Sequence, residues 1–472
     1  MEYPRSKIAV AIAQCTHLAE SRRLKAPMWM AMLSAGAMQA VAATPHNIVE
    51  DSSTVIKTIG PAGTTRLVND NHRVNGNAVN VFQHFVVGNG NTVNLIVPND
   101  VSKLVNIVKG STPEVHGIVN IYKAGTFGGD VVFASSHGFL VGSEGVINVG
   151  SLSVRTPNSD DIDNLINGTV TLDEMKSISS TGVITIEGKI NAKTGVDLNG
   201  QEVVVGAGGV IIAGNPWAAT AVNVGDYTPP IELKVNGGTI SITSSGGAPD
   251  DAYDISIDGN LLADGGITIS APKISVGENG KLDTRQQGGA LIDGGGDDVQ
   301  SNRSLVTGGD VVITANAQEA LGFGVATADT QVVVDGEVRA ANISITAHSD
   351  ASSSFIDKPG AGLATNLVAG ALAGASVYVM QADADASVSI GGQLYSDADI
   401  TLGSQALALS ESTTIPTSLV GVSGSLAVTY NSSNATSSAR IKSGATVEAG
   451  GDLTVTAHNE AYILASALDI VS

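Results

Sequence analysis

Residues 332–351 read VVVDGEVRAANISITAHSDA. Apolar residues alternate on either side of a short polar break, the pattern of two β-strands that each bury one face. The pattern returns as VSIGGQLYSDADITLGSQA at 388–406 and as ARIKSGATVEAGGDLTVTAHNEA at 439–461. Val338, Leu394 and Val447 share one position of this alignment, and Ile343, Ile400 and Leu453 share another. The spacings are 56 and 53 residues for the first set and 57 and 53 for the second. A fainter copy, GGDVVITANAQEA, stands at 308–320. Strand-rich repeats at a fixed period stack as coils, each covering the next, and do not close a globular core. His348 and His458 fall at the same place in TAH, which makes them register positions and not catalysts.

Between the copies lie GAGLATNLVAGALAGASVYV (360–379) and LVGVSGSLAVTY (419–430). The charge-free run from Ala361 to Met380 has the length of a membrane helix. Its Gly and Ala content, its shorter counterpart and its fixed place in a β repeat argue for small residues buried inside a stack.

Upstream, from residue 54 to about 280, strand-sized runs such as VNLIV, GIVNIY, DVVFAS, GVITIEGKI and GITISAPKISV alternate with Gly, Asn and Asp turns. SDDIDNLI (159–166) is the best short helix, with a Ser/Asp pattern at its start. Residues 284–305 are Gly/Asp-rich and read as a loop or junction. The DGGGDD within them could suit calcium, but that repeat needs tandem copies, so a solvated turn is expected. NVFQHFVVGNGNTVNLIVPN (80–99) nearly alternates around GNGN and reads as a hairpin capping the open start of the stack. Its asparagines are placed for turns and for amides that stack along the axis.

Composition fits. The 472 residues include 56 Gly but only 4% aromatics, so a narrow core of small aliphatics is expected rather than one built on rings. The first 43 residues differ: Arg22, Arg23 and Lys25 precede the apolar run APMWMAMLSAGAM, and QAVAAT follows. This is a long signal peptide, with cleavage expected after Ala42 or Ala43. Five of the 24 basic and two of the 45 acidic residues lie in it, leaving 19 and 43 and a net charge of −24. Cys15, the single cysteine, leaves with it, so the mature chain has no disulfide and stays threadable. The acidity argues against nucleic acid, which needs clustered Lys and Arg.

No G-x-x-x-x-G-K-[ST], H-E-x-x-H, C-x-x-C or G-x-S-x-G occurs. His84, His116 and His137 are expected at surface or turn positions and not as a metal trio. No acid/base pair stands out for sugar chemistry, although Asp250–Asp251 and Asp383/Asp385 are paired. No enzyme activity and no cofactor are expected.

The N-terminal residues resemble the secretion domain of two-partner secretion exoproteins, the filamentous haemagglutinin type, closest to its large leukotoxin-like filamentous adhesins. The resemblance rests on Asn80, Phe82 and Phe85 in NVFQHF, on Val93, Asn94, Leu95 and Pro98 in VNLIVP, and on the run 104–157. Where that family has Asn-Pro-Asn-Gly, this chain has Ser135-Ser136-His137-Gly138. The resemblance implies an all-β fold: a right-handed parallel β-helix with an N-terminal cap and extra-helical hairpins, continued by β-solenoid shaft repeats. It divides the chain into a signal peptide (1–43), a secretion domain (44–283), a junction (284–305) and the start of a shaft (306–472) that continues beyond this chain. It implies transit by the general export machinery, then through a partner outer-membrane β-barrel transporter whose periplasmic domains engage the N-terminal module. Asn80, Phe82, Phe85, Asn94, Pro98, His137 and Gly138 are then the candidate cap and recognition residues. The expected product is an adhesin, secreted or on the surface of a Gram-negative cell, facing a host receptor or glycan. A leukotoxin-like cytolysin or contact-dependent toxin on the same scaffold is the alternative, and a polysaccharide-active β-helix enzyme the remote one.

Overall fold

The computed structural model describes residues 47–50, 64–68, 73–177, 179–216, 236–248, 252–285, 308–321, 324–356, 375–414 and 426–467. All of these residues fall within one compact unit, Pro45–Ser472. The signal segment, with Ala42 and Ala43, lies outside the described residues.

The strands form three parallel ladders around one core, and the chain visits faces 1, 2 and 3 in turn on every coil. On face 1 the inward column begins Ala78–Leu104–Val131–Leu152 and ends Val311–Ile343–Ile400–Leu453. Face 2 carries Val87, Val115, Val141, Ile186 and Val205 as successive register partners. Face 3 runs from Val93 and Val119 through Leu282 to Val338, Leu394 and Val447. Strand alternation sends every second residue inward, and the parallel register stacks like on like, so above Ala78 these columns are strips of β-branched or Leu side chains.

The two alignment sets read from the repeats are therefore vertical neighbours, residue on residue. Each repeat of about 55 residues is one coil. An N-terminal coil is half that size: Asn94 stacks on Asn120. The difference lies in two arms. From residue 311 the face-1 and face-2 strands overrun the triangle, reaching 14 residues in Ile343–Ile356 and 16 in Ala375–Ile390. The arms close on Ala347, Ser349, Ala351 and Ser353 from one side and Ala326, Ala328, Ala382 and Ala384 from the other, all buried. Ser349 Oγ donates to Ala328 O at 2.6 Å and Ser353 Oγ to Gly324 O at 2.8 Å, tying the layers. Small side chains are required because the two sheets leave no room for larger ones. Ala375 to Met380 belong to a strand, and the rest of the charge-free run lies outside the described residues. No helix among the described residues is long and apolar enough to cross a membrane.

The stack passes the Gly/Asp-rich segment without a break: Gly266–Ala271 pairs directly with Val311–Leu321, and Lys281–Asp283 with Glu337–Ala340. Residues 286–307 themselves lie outside the described residues. An ion network bridges these two coils on the outside of face 3. Glu337 meets Lys281 at 3.2 Å and Arg339 at 2.5 Å, Asp283 is fully buried against Arg285, and the Arg339 guanidinium lies 4.5 Å over the Tyr395 ring. Burial raises the Glu337 carboxyl, but Lys281 and Arg339 outweigh it and hold the group below its usual value. A depressed carboxyl adds stability that is complete above the unfolded value and is lost as pH falls through the folded one. The coils at 281–340 are thus expected to loosen on acidification below about pH 4.5, and Glu337→Gln to flatten that dependence. Amide exchange of this region across a pH series checks it.

Candidate functional site: the first coils

The stretch 80–99 is not a hairpin. Asn77–Val87 belongs to faces 1 and 2, Thr92–Val97 to face 3, and each pairs with the following coil instead of with the other. GNGN is the corner between them: Asn91 N–H donates to Gly88 O at 3.1 Å and Gly90 takes a φ of +77°. Alternation around a tight turn fits both a reversal and a corner, and only the distant partner strand separates them. Two true hairpins do leave the ladders. One turns at Asn75-Gly76 and the other at Ala124-Gly125, each pair with positive φ as a primed turn needs. Below the first coil, Asn47–Glu50 runs antiparallel to residues 82–86 and Thr64–Val68 parallel to Thr92–Val97, forming the cap.

The candidate residues separate into two groups. Phe82 and Phe85 are fully buried and begin a ring stack with Phe133 and Phe139, centroids 5.4, 5.2 and 5.2 Å apart. A chain poor in aromatics thus concentrates four of its seven Phe here, and the expectation of a core without rings fails at this end. Asn80 points into the same core, where its Nδ2 donates to Asn106 Oδ1 at 2.9 Å. The Nδ2 of Asn106 has no partner, because the next coil places Phe133 above it.

Asn94 lies on the outer side of face 3 and starts a second ladder. Asn120 Nδ2 donates to Asn94 Oδ1 at 3.2 Å, Asn148 to Asn120 at 2.8 Å, and Asn191 to Asn148 at 2.9 Å. These amides stack in mid-strand, not at turns. The partners Asn106, Asn120, Asn148 and Asn191 escaped the sequence reading, although each follows a Val or Ile as Asn80 and Asn94 do. Asn148→Ala should cost about 1–2 kcal/mol, since it strands a buried donor on one neighbour and an acceptor on the other. Denaturant titration followed by amide exchange of residues 118–192 checks it.

Pro98 follows the last residue of Thr92–Val97 and, lacking an N–H, ends the strand there. His137 and Gly138 sit at the corner from face 1 to face 2. Thr112 Oγ1 donates to His137 O at 2.7 Å, Gly138 N–H to Ser135 O at 3.4 Å, and Ser135 N–H to Arg155 O at 3.1 Å. Gly138 has a φ of +98°, and a Cβ there would lie 2.2 Å from Val183 O. The corner therefore requires this glycine, whereas Ser135, Ser136 and His137 fill the other places without such a demand. The three histidines take separate partners: His84 Nδ1 contacts Ser111 Oγ, His116 contacts Glu114, and His137 contacts Ser136. Among the described residues no three His, Cys, Asp or Glu gather as a metal set.

A strap completes the site. Helix α1, Ser159–Asn167, is capped by Asn158, whose side chain accepts from Asp161 N–H, and ends at Gly168 with φ +74°. The cap is thus the residue before the Ser/Asp pattern. Ile162, Leu165 and Met175 cover Val79, Val81, Val105, Ile107 and Val132 on the outer side of face 1. Lys109 fastens the helix to the stack through Asp163 at 2.9 Å.

Three parallel ladders wound about one core, started by a cap and tied by asparagine columns, define a parallel β-helix of the solenoid class. No protein-family model matches the chain, and no curated protein matches it. Among solved structures it is similar to the HMW1 secretion domain from Haemophilus influenzae, at 14% identity and a TM-score of 0.40, over 88% of this chain and 100% of that one.

Proposed function

We propose that the chain is a secreted filamentous adhesin of the two-partner type, without enzymatic activity, whose first coils are recognised by a partner outer-membrane β-barrel transporter. The observation that carries this reading is that the residues bearing the sequence resemblance, 80–157, form the first coils, which the cap and the strap cover and the asparagines tie. A chain without cysteine in its mature part can cross a membrane extended and fold outside, each finished coil offering a parallel edge to the next. No nucleotide is needed for that step.

The test is secretion of residues 1–300 from a Gram-negative host, with and without the candidate barrel. Barrel-dependent export to the medium is the expected result. Export without the barrel, or a folded product left in the periplasm, would remove the two-partner reading. Asn80→Ala and Asn94→Ala should lower secretion without lowering synthesis, measured as the ratio of medium to total protein.

A further inference from the structure

The stack contains a step. In the coil below it, Gly266–Ala271 and Lys273–Val276 are joined by Pro272 alone. In the coil above, the equivalent strands carry the first arms, Asn316–Leu321 and Gly324–Thr330. The upper sides of these arms are paired with the next coil, Gly324–Thr330 with Met380–Ala386. Their lower sides have no strand partner among the described residues, because register with the coil below stops at Ala315 on one arm and begins at Gln331 on the other. The orientation of the open groups follows from the ladder. Gln331 N–H points down to Pro272 O, and residues two apart on a strand point the same way. Val325, Thr327 and Asp329 therefore direct their N–H and C=O groups to the open side.

One of these groups is already taken. Thr327 N–H donates to a carboxylate oxygen of Glu319, which reaches across from the other arm at 2.5 Å. The side chain stands where the carbonyl of an added strand would stand. Lys273, Gln318 and Asp329 line the same cleft, and Lys273 is engaged by Asp329 at 3.1 Å. Val325 beside it is 50% exposed.

We infer that the edge at Val325–Asp329, which has no strand partner below it among the described residues, is a strand-addition site for an extended segment of another polypeptide carrying cationic side chains at alternate positions. Such a segment pairs its main chain with the edge, as edge strands invite. It displaces Glu319 from Thr327 and supplies the positive charge that the released carboxylate then faces.

The full chain is titrated with short fluorescent peptides, one alternating lysine with valine and one alternating glutamate with valine, and amide exchange is followed. The lysine peptide should bind about tenfold more tightly than the glutamate peptide and slow exchange at 324–330. Glu319→Gln, which leaves the backbone intact, should erase most of that preference, and Thr327→Pro should abolish the protection. Equal binding of the two peptides, protection elsewhere, or an unchanged preference in Glu319→Gln would overturn the inference. A dimer that protects 324–330 without any peptide would assign the edge to a second copy and overturn it equally.

Discussion

Truncating Phe133 to alanine is expected to destabilise the first coils by about 3–5 kcal/mol, the range for removing a buried ring. Phe133 is 1% exposed and sits at the middle of the ring stack, 5.2 Å from Phe85 on one side and 5.2 Å from Phe139 on the other. It also stands directly over Asn106 in the parallel register. Its loss removes dispersion contacts to two rings and opens a void above an amide that already has an unpaired donor. The neighbours cannot collapse into the void, because each is pinned by a ladder of backbone hydrogen bonds. In a stacked array the damage stays near its origin. Exchange should therefore quicken in residues 78–155 and stay unchanged beyond 311. A uniform change along the chain would show that the stack unfolds as one unit and that the rings are not a local keystone.

Gly188→Ala is expected to cost about 3 kcal/mol, at the upper end of what overpacking does. The residue lies at the corner from face 2 to face 3, and a Cβ there would stand 2.3 Å from both Gly142 O and Gly145 O. The same corner repeats up the stack. An added Cβ would lie 2.4 Å from Asn91 O at Gly117, 2.2 Å from Gly280 O at Gly336 and 2.0 Å from Gly336 O at Gly392. One coil's glycine thus rests on the carbonyl of the coil beneath, and backbone cannot move aside as a side chain can. Gly90→Ala separates this effect from conformational strain. Gly90 has a φ of +77° but nothing within 4 Å of its would-be Cβ, so alanine there should cost about 1 kcal/mol. Thermal or urea midpoints of the two variants, read against the parent chain, check the ordering. Equal effects would mean that the close approach of coils is not what selects glycine.

Much of the architecture was legible in advance. The 332, 388 and 439 repeats predicted the register of the upper coils residue by residue, because a parallel stack places identical positions on top of one another. The N-terminal coils were harder. Their length varies, an excursion of about twenty residues leaves between Pro157 and Ser180 to form the strap, and the glycine directly before most face-3 strands looked like ordinary turn composition. The candidate residues were found by likeness of motif, but their roles were not. Asn80 and Asn94 are two residues of the same type in the same local sequence, and one is a core amide while the other opens an outer ladder.

The sequence by itself determined that this chain is a stack of coils, because alternation at period two and repetition at a fixed interval are local properties that each segment carries alone. It also determined where the register falls in the upper coils. The tertiary structure alone decided that GNGN is a corner, that the asparagines form an inner pair and an outer ladder, and that a helix seals the first three coils. Each of these depends on which strand lies above and below, and for the asparagines that neighbour is 26 to 43 residues away. Local patterning is indifferent to that choice. The stack is not, because a shift of one residue would turn every buried side chain outward.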